Sequence, residues 1–283
     1  MKDFMLALLL GTAFSSLASP GQAAIASAAG SGQVPTGKWV VDYANDFCSL
    51  DRDYGNSLNP LALAISPNVM GGDYRVSVFR KPKPGDEKLP TSATIDIIIG
   101  SIKAETEISS IEVGPLLLRK STFKLDDKFV PALLASEEMT ISHKTGAQDS
   151  FLMPGIDAAL KALEKCRVDL VTGWGIPAAQ QARLKTKAKL IEKSYISLFA
   201  FNDYPEDALR QNMQGLVISR MLIDAAGRVS QCVVTTSSGS TSLDQTTCAV
   251  LRSRSHHVPA KDIGGMPMSS FTTSKVLWII PQR

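Results

Sequence analysis

Four side chains near the C-terminus are of the types that bind zinc or carry redox chemistry: Cys232, Cys248, His256 and His257. Thiolate and imidazole are the ligands of structural zinc sites, and their spacing decides whether they can converge. Here the cysteines lie sixteen residues apart and the histidines are adjacent. Neighbours on a strand point to opposite faces, so an adjacent pair is poorly placed to share one ion. Two cysteines flanking a Ser/Thr-rich turn, one on a strand and one on the following helix, read instead as a disulfide, provided the chain reaches an oxidising compartment. The His pair then reads as a partly solvated turn feature.

Other motif echoes fail on context. GQVPTGKW at 32–39 fits G-x-x-x-x-G-K, but Trp39 stands where a phosphate loop needs Ser or Thr, and no strand precedes it. Ser121-x-x-Lys124 with Lys144-Thr145-Gly146 matches two of three β-lactamase-type motifs, yet the Ser-Asp-Asn element is absent and STFK sits in a β pattern. Asp126-Asp127 and Glu137-Glu138 read as solvated helix or turn ends. No catalytic constellation emerges, so the expectation is a non-enzyme with no cofactor and no metal.

The N-terminus speaks to compartment. MKDFMLALLLGTAFSSLASPGQA has one early lysine, then fifteen apolar or small residues from Phe4 to Ala18, then small residues at cleavage positions. That is the layout of a secretory signal peptide over residues 1–23, with a mature start near Ser19 or Ala24. The run is shorter than the roughly 20 residues a spanning helix needs. The expected location is the periplasm, with an inner-membrane anchor facing the periplasm as the alternative. Four cysteines in an exported chain point to two disulfides. Three pairings are open, and position along the chain favours Cys48–Cys166 and Cys232–Cys248. A net charge of +3, with no basic run interleaved with aromatics, gives no footprint for nucleic acid.

Hydrophobic residues at 44% can fill the cores of two ordinary domains. Residues 24–37 read as a flexible lead-in. From 38 to 175 the chain is rich in alternating and β-branched segments (YRVSVFR, ATIDIIIGSI, EISSIEV, EMTISHK), which predicts a mostly antiparallel β domain. It closes on a helix beginning near Pro154, with Ile156, Ala159, Leu160, Leu163 and Cys166 on one side. Residues 176–197, rich in Ala, Lys and Gln, read as a helical linker. Residues 198–283 follow as helix, strand, strand, helix, strand, with Gly227 at a hairpin position wanting positive φ. Ser242 and Gln245 read as a capping box for the second helix. The fold class is α+β: a β-rich domain, then a small two-layer α/β domain.

Within that second domain, Tyr204-Pro205, Ala208, Gly215, Val217, Gly227-Arg228-Val229, Ser237-Ser238-Gly239, Leu243-Asp244, Pro259-Ala260 and the closing VLWIIP fall in an ordered set. The set resembles the C-terminal domain of the TonB family over about residues 198–283. The resemblance implies a periplasmic domain whose last strand lies at a sheet edge and takes up an extended, TonB-box-like segment of an outer-membrane transporter. By that resemblance the peptide-binding residues are Phe271, Thr273, Lys275, Leu277 and Ile279, with Asn202 and Asp203 near the approaching segment. Cys232 and Cys248 resemble a subgroup with a cysteine pair. The chain departs from the family in its short apolar N-terminus and in lacking a long Pro-rich arm; KPKPG at 81–85 is the nearest approach to one. The family often has an aromatic where His257 stands. An inner-membrane motor complex is an expected partner only if the N-terminus is uncleaved. An exposed edge would also permit a homodimer. The alternative functions are an interaction module uncoupled from transport and, less favoured, an enzyme in the first domain.

Overall fold

The computed structural model of the protein describes residues 32–82, 91–113, 117–144, 146 and 148–280. The expected signal peptide, the first part of the lead-in, most of KPKPG and Thr145 lie outside them.

The first half is a single antiparallel sheet of nine strands. In chain order these are β1 (Val40–Tyr43), β2 (Cys48–Asp53), β3 (Leu61–Pro67), β4 (Asp73–Arg80), β5 (Ser92–Ile99), β6 (Ile102–Val113), β7 (Leu118–Asp126), β8 (Glu138–His143) and β9 (Gln148–Leu152). Across the sheet they run β1-β2-β3-β4-β7-β6-β5-β8-β9. Period-2 alternation builds the core face: Ile95, Ile97 and Ile99 of β5 are fully buried, as are Val76 of β4 and Phe123 and Leu125 of β7. A short helix, α1 (Val130–Ser136), joins β7 to β8.

The helix α2 (Ile156–Gly173) lies inside the curl of this sheet, with Ile156, Leu160, Leu163 and Cys166 in the common core. The Cys48–Cys166 disulfide ties β2 to it, with Cα atoms 6.1 Å apart. The two ends of the sheet meet. Tyr54 donates its hydroxyl to the Leu152 carbonyl at 2.9 Å and packs edge-on against Phe151. Residues 33–37 stitch the seam, so this part of the expected lead-in is structural. Gln33 exchanges backbone bonds with Ser150 and Leu152, while Thr36 and Gly37 donate to Asp53. Small and polar residues suit this strip because its role is backbone pairing.

The expected helical linker is also corrected. Within the linker only Ala178–Gln181 (α3) is α-helical, with a 3-10 turn starting at Tyr195. After α3 the chain forms β10 (Leu184–Thr186) and β11 (Lys189–Leu190). Helix propensity loses here because the segment has partners: β10 pairs with β15 (Ala260–Asp262), and β11 with β14 (His257–Val258). The strand β16 (Pro267–Met268) completes the β10 sheet.

The C-terminal sheet has three strands, ordered β13-β12-β17. They are β12 (Gly215–Ile223), β13 (Val229–Thr236) and β17 (Ser270–Trp278). α4 (Glu206–Arg210) precedes them, and α5 (Thr241–Arg254) covers one face, burying Leu243, Thr247, Val250 and Leu251. The Cys232–Cys248 disulfide joins β13 to α5. Gly227 turns the β12–β13 hairpin at φ +81°, and an added Cβ would lie 2.0 Å from the His257 carbonyl oxygen, so only glycine fits. The cap of α5 is Ser240 rather than Ser242. Asp244 reaches back instead, accepting from Ser237 Oγ, Ser238 Oγ and the Ser238 backbone N–H at 2.6–2.9 Å.

Residues 32 onward form one compact unit, so the two halves pack on each other. Met70, Val171, Ile176 and Phe271 make an apolar cluster with Trp174 and Leu222 around it. Arg220 lies 3.7 Å above the Trp174 ring. Lys187 pairs with Asp73.

Candidate functional site: the open edge of the last strand

The final strand is bonded on one side only. β17 pairs along its whole length with β12, from Ile223↔Ser270 to Gly215↔Trp278. Among the described residues no backbone hydrogen bond reaches it from any other segment. The 3-10 turn Tyr195–Leu198 lies against the strand but donates nothing to its backbone. An unpaired row of N–H and C=O groups is a template for another strand.

Alternation divides β17 into two faces. Ser274, Val276 and Trp278 turn inward under α5. Ser274 shares a buried 2.7 Å hydrogen bond with Ser219 of β12. Trp278 donates to Thr247 Oγ1 at 2.9 Å and packs edge-on against Tyr204 and Phe199. These contacts hold the strand in register while its outer edge stays free. The opposite face carries Phe271, Thr273, Lys275 and Leu277, opposite Leu222, Arg220, Ile218 and Leu216 of β12.

The residues singled out from the sequence divide accordingly. Thr273, Lys275, Leu277 and Ile279 are exposed, and they stand in one row. Phe271 shares their face but is only 4% exposed, because Trp174 meets it edge-on at 5.3 Å and Met70 closes over it. Its side chain is therefore already engaged by the β-rich half. Asn202 is exposed. Asp203 is occupied: Arg254 holds it in a two-pronged pair at 2.6 and 2.8 Å, and it accepts the Ala200 N–H. The Arg254 guanidinium keeps the Asp203 carboxyl below the usual carboxylate range. Asp203 fixes the turn before Tyr204 rather than offering itself to a visitor. Trp174 and Arg220, which set where the usable edge begins, carry no sequence signal that links them.

The opening constellation resolves into separate roles. Cys232 and Cys248 are bonded to each other. No group of three His, Cys, Asp or Glu side chains among the described residues could hold a metal. His256 is exposed and pairs with Glu192 at 2.9 Å. His257, expected to be partly solvated, is 3% exposed. β11 covers it, its backbone N–H donates to Gly227, and Nε2 lies 3.2 Å from the Tyr195 hydroxyl. Its Nδ1 makes no hydrogen bond. Ser121 and Lys124 both lie on β7, where three-residue spacing puts them on opposite faces, and Ser121 is bonded to Ser110.

Burial pushes the His257 imidazole below its ordinary value of 6.5. The unfolded chain therefore takes up a proton as pH falls through that value, while the folded chain does not until lower pH. Stability present above it is lost as pH drops, by at most about 1.4 kcal/mol per pH unit for one proton. Denaturant titrations between about pH 7 and pH 5 are expected to show a steeper loss for the natural protein than for His257→Phe. Equal slopes would contradict a neutral buried imidazole.

No helix among the described residues is long and apolar enough to cross a membrane. No curated protein matches the chain. Among solved structures, the crystal structure of invasion associated protein b from Bartonella henselae is similar at 15% identity and a TM-score of 0.35. The likeness covers 45% of this chain and 90% of that one, and is too distant to bear on the fold. The family described as Gram-negative bacterial TonB protein C-terminal matches residues 202–273. That family is one of non-enzymatic protein-interaction domains of the cell envelope, and it implies binding to outer-membrane proteins in general. The match runs from the turn before Tyr204 through both strands of the hairpin, α5 and the start of β17, and this segment is a TonB C-terminal family domain.

Proposed function

We propose that the protein binds an extended segment of an outer-membrane transporter by adding it as a further strand along β17, in the periplasm. The observation that carries this reading is the unpaired outer edge of β17 from Thr273 onward, bonded only to β12. Strand addition draws affinity from main-chain hydrogen bonds and selectivity from alternate side chains. A segment pairing over about five residues gains on the order of 1 kcal/mol per hydrogen bond, less the cost of ordering it. That places the expected dissociation constant between roughly micromolar and millimolar.

Calorimetric titration of the full chain with synthetic N-terminal segments of outer-membrane transporters tests the reading. Saturable binding of at least one segment in that range is expected. No binding of any segment at millimolar concentration would remove it.

A further inference from the structure

Positive charge supplied by the other half of the protein gathers near the exposed row on β17. In the register of β4 with β7, Arg75 lies opposite Lys124 and Phe79 opposite Lys120. Paired residues share a face, as do residues four apart on one strand, so all four stand on the side of the sheet away from the core residues Val76, Val78, Phe123 and Leu125. The Lys120 ammonium sits 5.2 Å over the Phe79 ring. β17 comes down to this face: Phe271 docks on Met70 beside the β3–β4 turn, and Lys275 projects from the same side of the strand as Phe271. Burial lowers the Lys120 pKa, and the charges of Arg75 and Lys275 lower it further, so Lys120 feels both of these cations.

Lys128, Lys144, Lys161, Lys165 and Lys187 each find a carboxylate. Among the described residues Arg75, Lys120, Lys124 and Lys275 make no ion pair. Like charges set directly across a ladder, as Arg75 and Lys124 are, oppose folding. A cluster of one sign along a partly enclosed face favours an incoming group of the opposite sign.

We propose that the β-rich half completes the binding site with an anion subsite, in which Arg75 and Lys120, together with Lys275 of β17, receive carboxylates of an acidic extended peptide paired along the strand edge. This rests on the strand-addition reading above. Alternate side chains of an added strand would share the face of Thr273, Lys275 and Leu277, so the partner carries Asp or Glu at every second position. The β-rich half thereby selects the sequence that the C-terminal sheet merely pairs.

The test uses the full chain and two synthetic peptides of about ten residues with the same alternating pattern, one with Glu at the alternate positions and one with Gln. Binding is read by fluorescence anisotropy at low and high salt, and strand addition by backbone amide shifts over residues 273–279. The Glu peptide is expected to bind about 10-fold tighter or more at low salt, an advantage that salt removes. Arg75→Gln and Lys120→Gln, both outside the strand, are expected to bring the Glu peptide to the level of the Gln peptide while leaving Gln-peptide binding unchanged. Lys120→Glu is expected to reverse the preference, the Gln peptide then binding tighter than the Glu peptide at low salt. If both peptides shift the β17 amides but bind equally, or if the preference survives in the variants, the subsite is overturned and strand addition stands. If neither peptide shifts those amides, strand addition fails and the subsite with it.

Discussion

Replacing Cys48 and Cys166 by alanine is expected to cost nearly 5 kcal/mol of folding stability, the largest single effect in the protein. The bridge closes a loop with a sequence separation of 118 residues. In the chain-entropy model a cross-link of that span removes about 4.9 kcal/mol of freedom from the unfolded chain, as an upper figure. Its position adds consequence. Cys48 opens β2 and Cys166 lies in the middle of α2, so the bond fastens the sheet to the helix that fills its curl. The shorter Cys232–Cys248 loop, with a separation of 16, is worth about 3 kcal/mol on the same reasoning. Chemical denaturation of the two double-alanine variants measures both, and a loss below about 1 kcal/mol for Cys48/Cys166 would contradict this assignment of stability.

Trp278→Ala is expected to cost about 3–5 kcal/mol and to loosen the end of β17. Trp278 is 6% exposed and lies in one cluster with Val217, Leu243 and Val276. Truncation leaves a cavity between β17 and α5, removes two edge-on ring contacts with Tyr204 and Phe199, and takes away the donor that Thr247 Oγ1 accepts. Trp278→Phe keeps the ring contacts and loses the N–H, so it is expected to cost about 1 kcal/mol. Denaturant midpoints of the two variants check the ranking. A mild Trp278→Ala would mean that the register of the edge strand is held elsewhere.

What the sequence disclosed follows from where its signals are local. The hairpin turn at Gly227, the Tyr204-Pro205 helix start and the period of β12, β13 and β17 each act within a few residues, and the structure places them as expected. The disulfide partners were favoured by chain position alone, and the structure pairs them that way. Errors arose where a distant partner decides. Residues 184–190 have the composition of a helix but become β10 and β11 because β15 and β14 lie waiting for them. Residues 33–37 look unstructured alone, yet they close the seam between β9 and Asp53. His257 looks solvated until β11 folds over it. Ser242 has the spacing of a cap, but the N-cap position falls on Ser240 and Asp244 ties down the turn before it.

The same limit applies to the site. Thr273, Lys275, Leu277 and Ile279 entered through the resemblance to the TonB C-terminal domain, since VLWIIP is a continuous apolar run that does not itself mark an exposed face; their odd positions on a strand put them on one side. Phe271 follows the same alternation, and only the docking of Trp174 and Met70 removes it from the usable row. Arg75 and Lys120 lie in another part of the chain, and the effect of Lys275 on Lys120 depends on how the two halves pack.

Amide hydrogen exchange of residues 273–279 in the full chain, with and without a bound transporter segment, reads whether the outer edge of β17 is open and takes up a strand. The β17 amides directed away from β12 are expected to exchange rapidly in the free protein and to become protected when the segment binds. Slow exchange of every β17 amide in the free protein, or binding that leaves their exchange unchanged, would contradict this expectation.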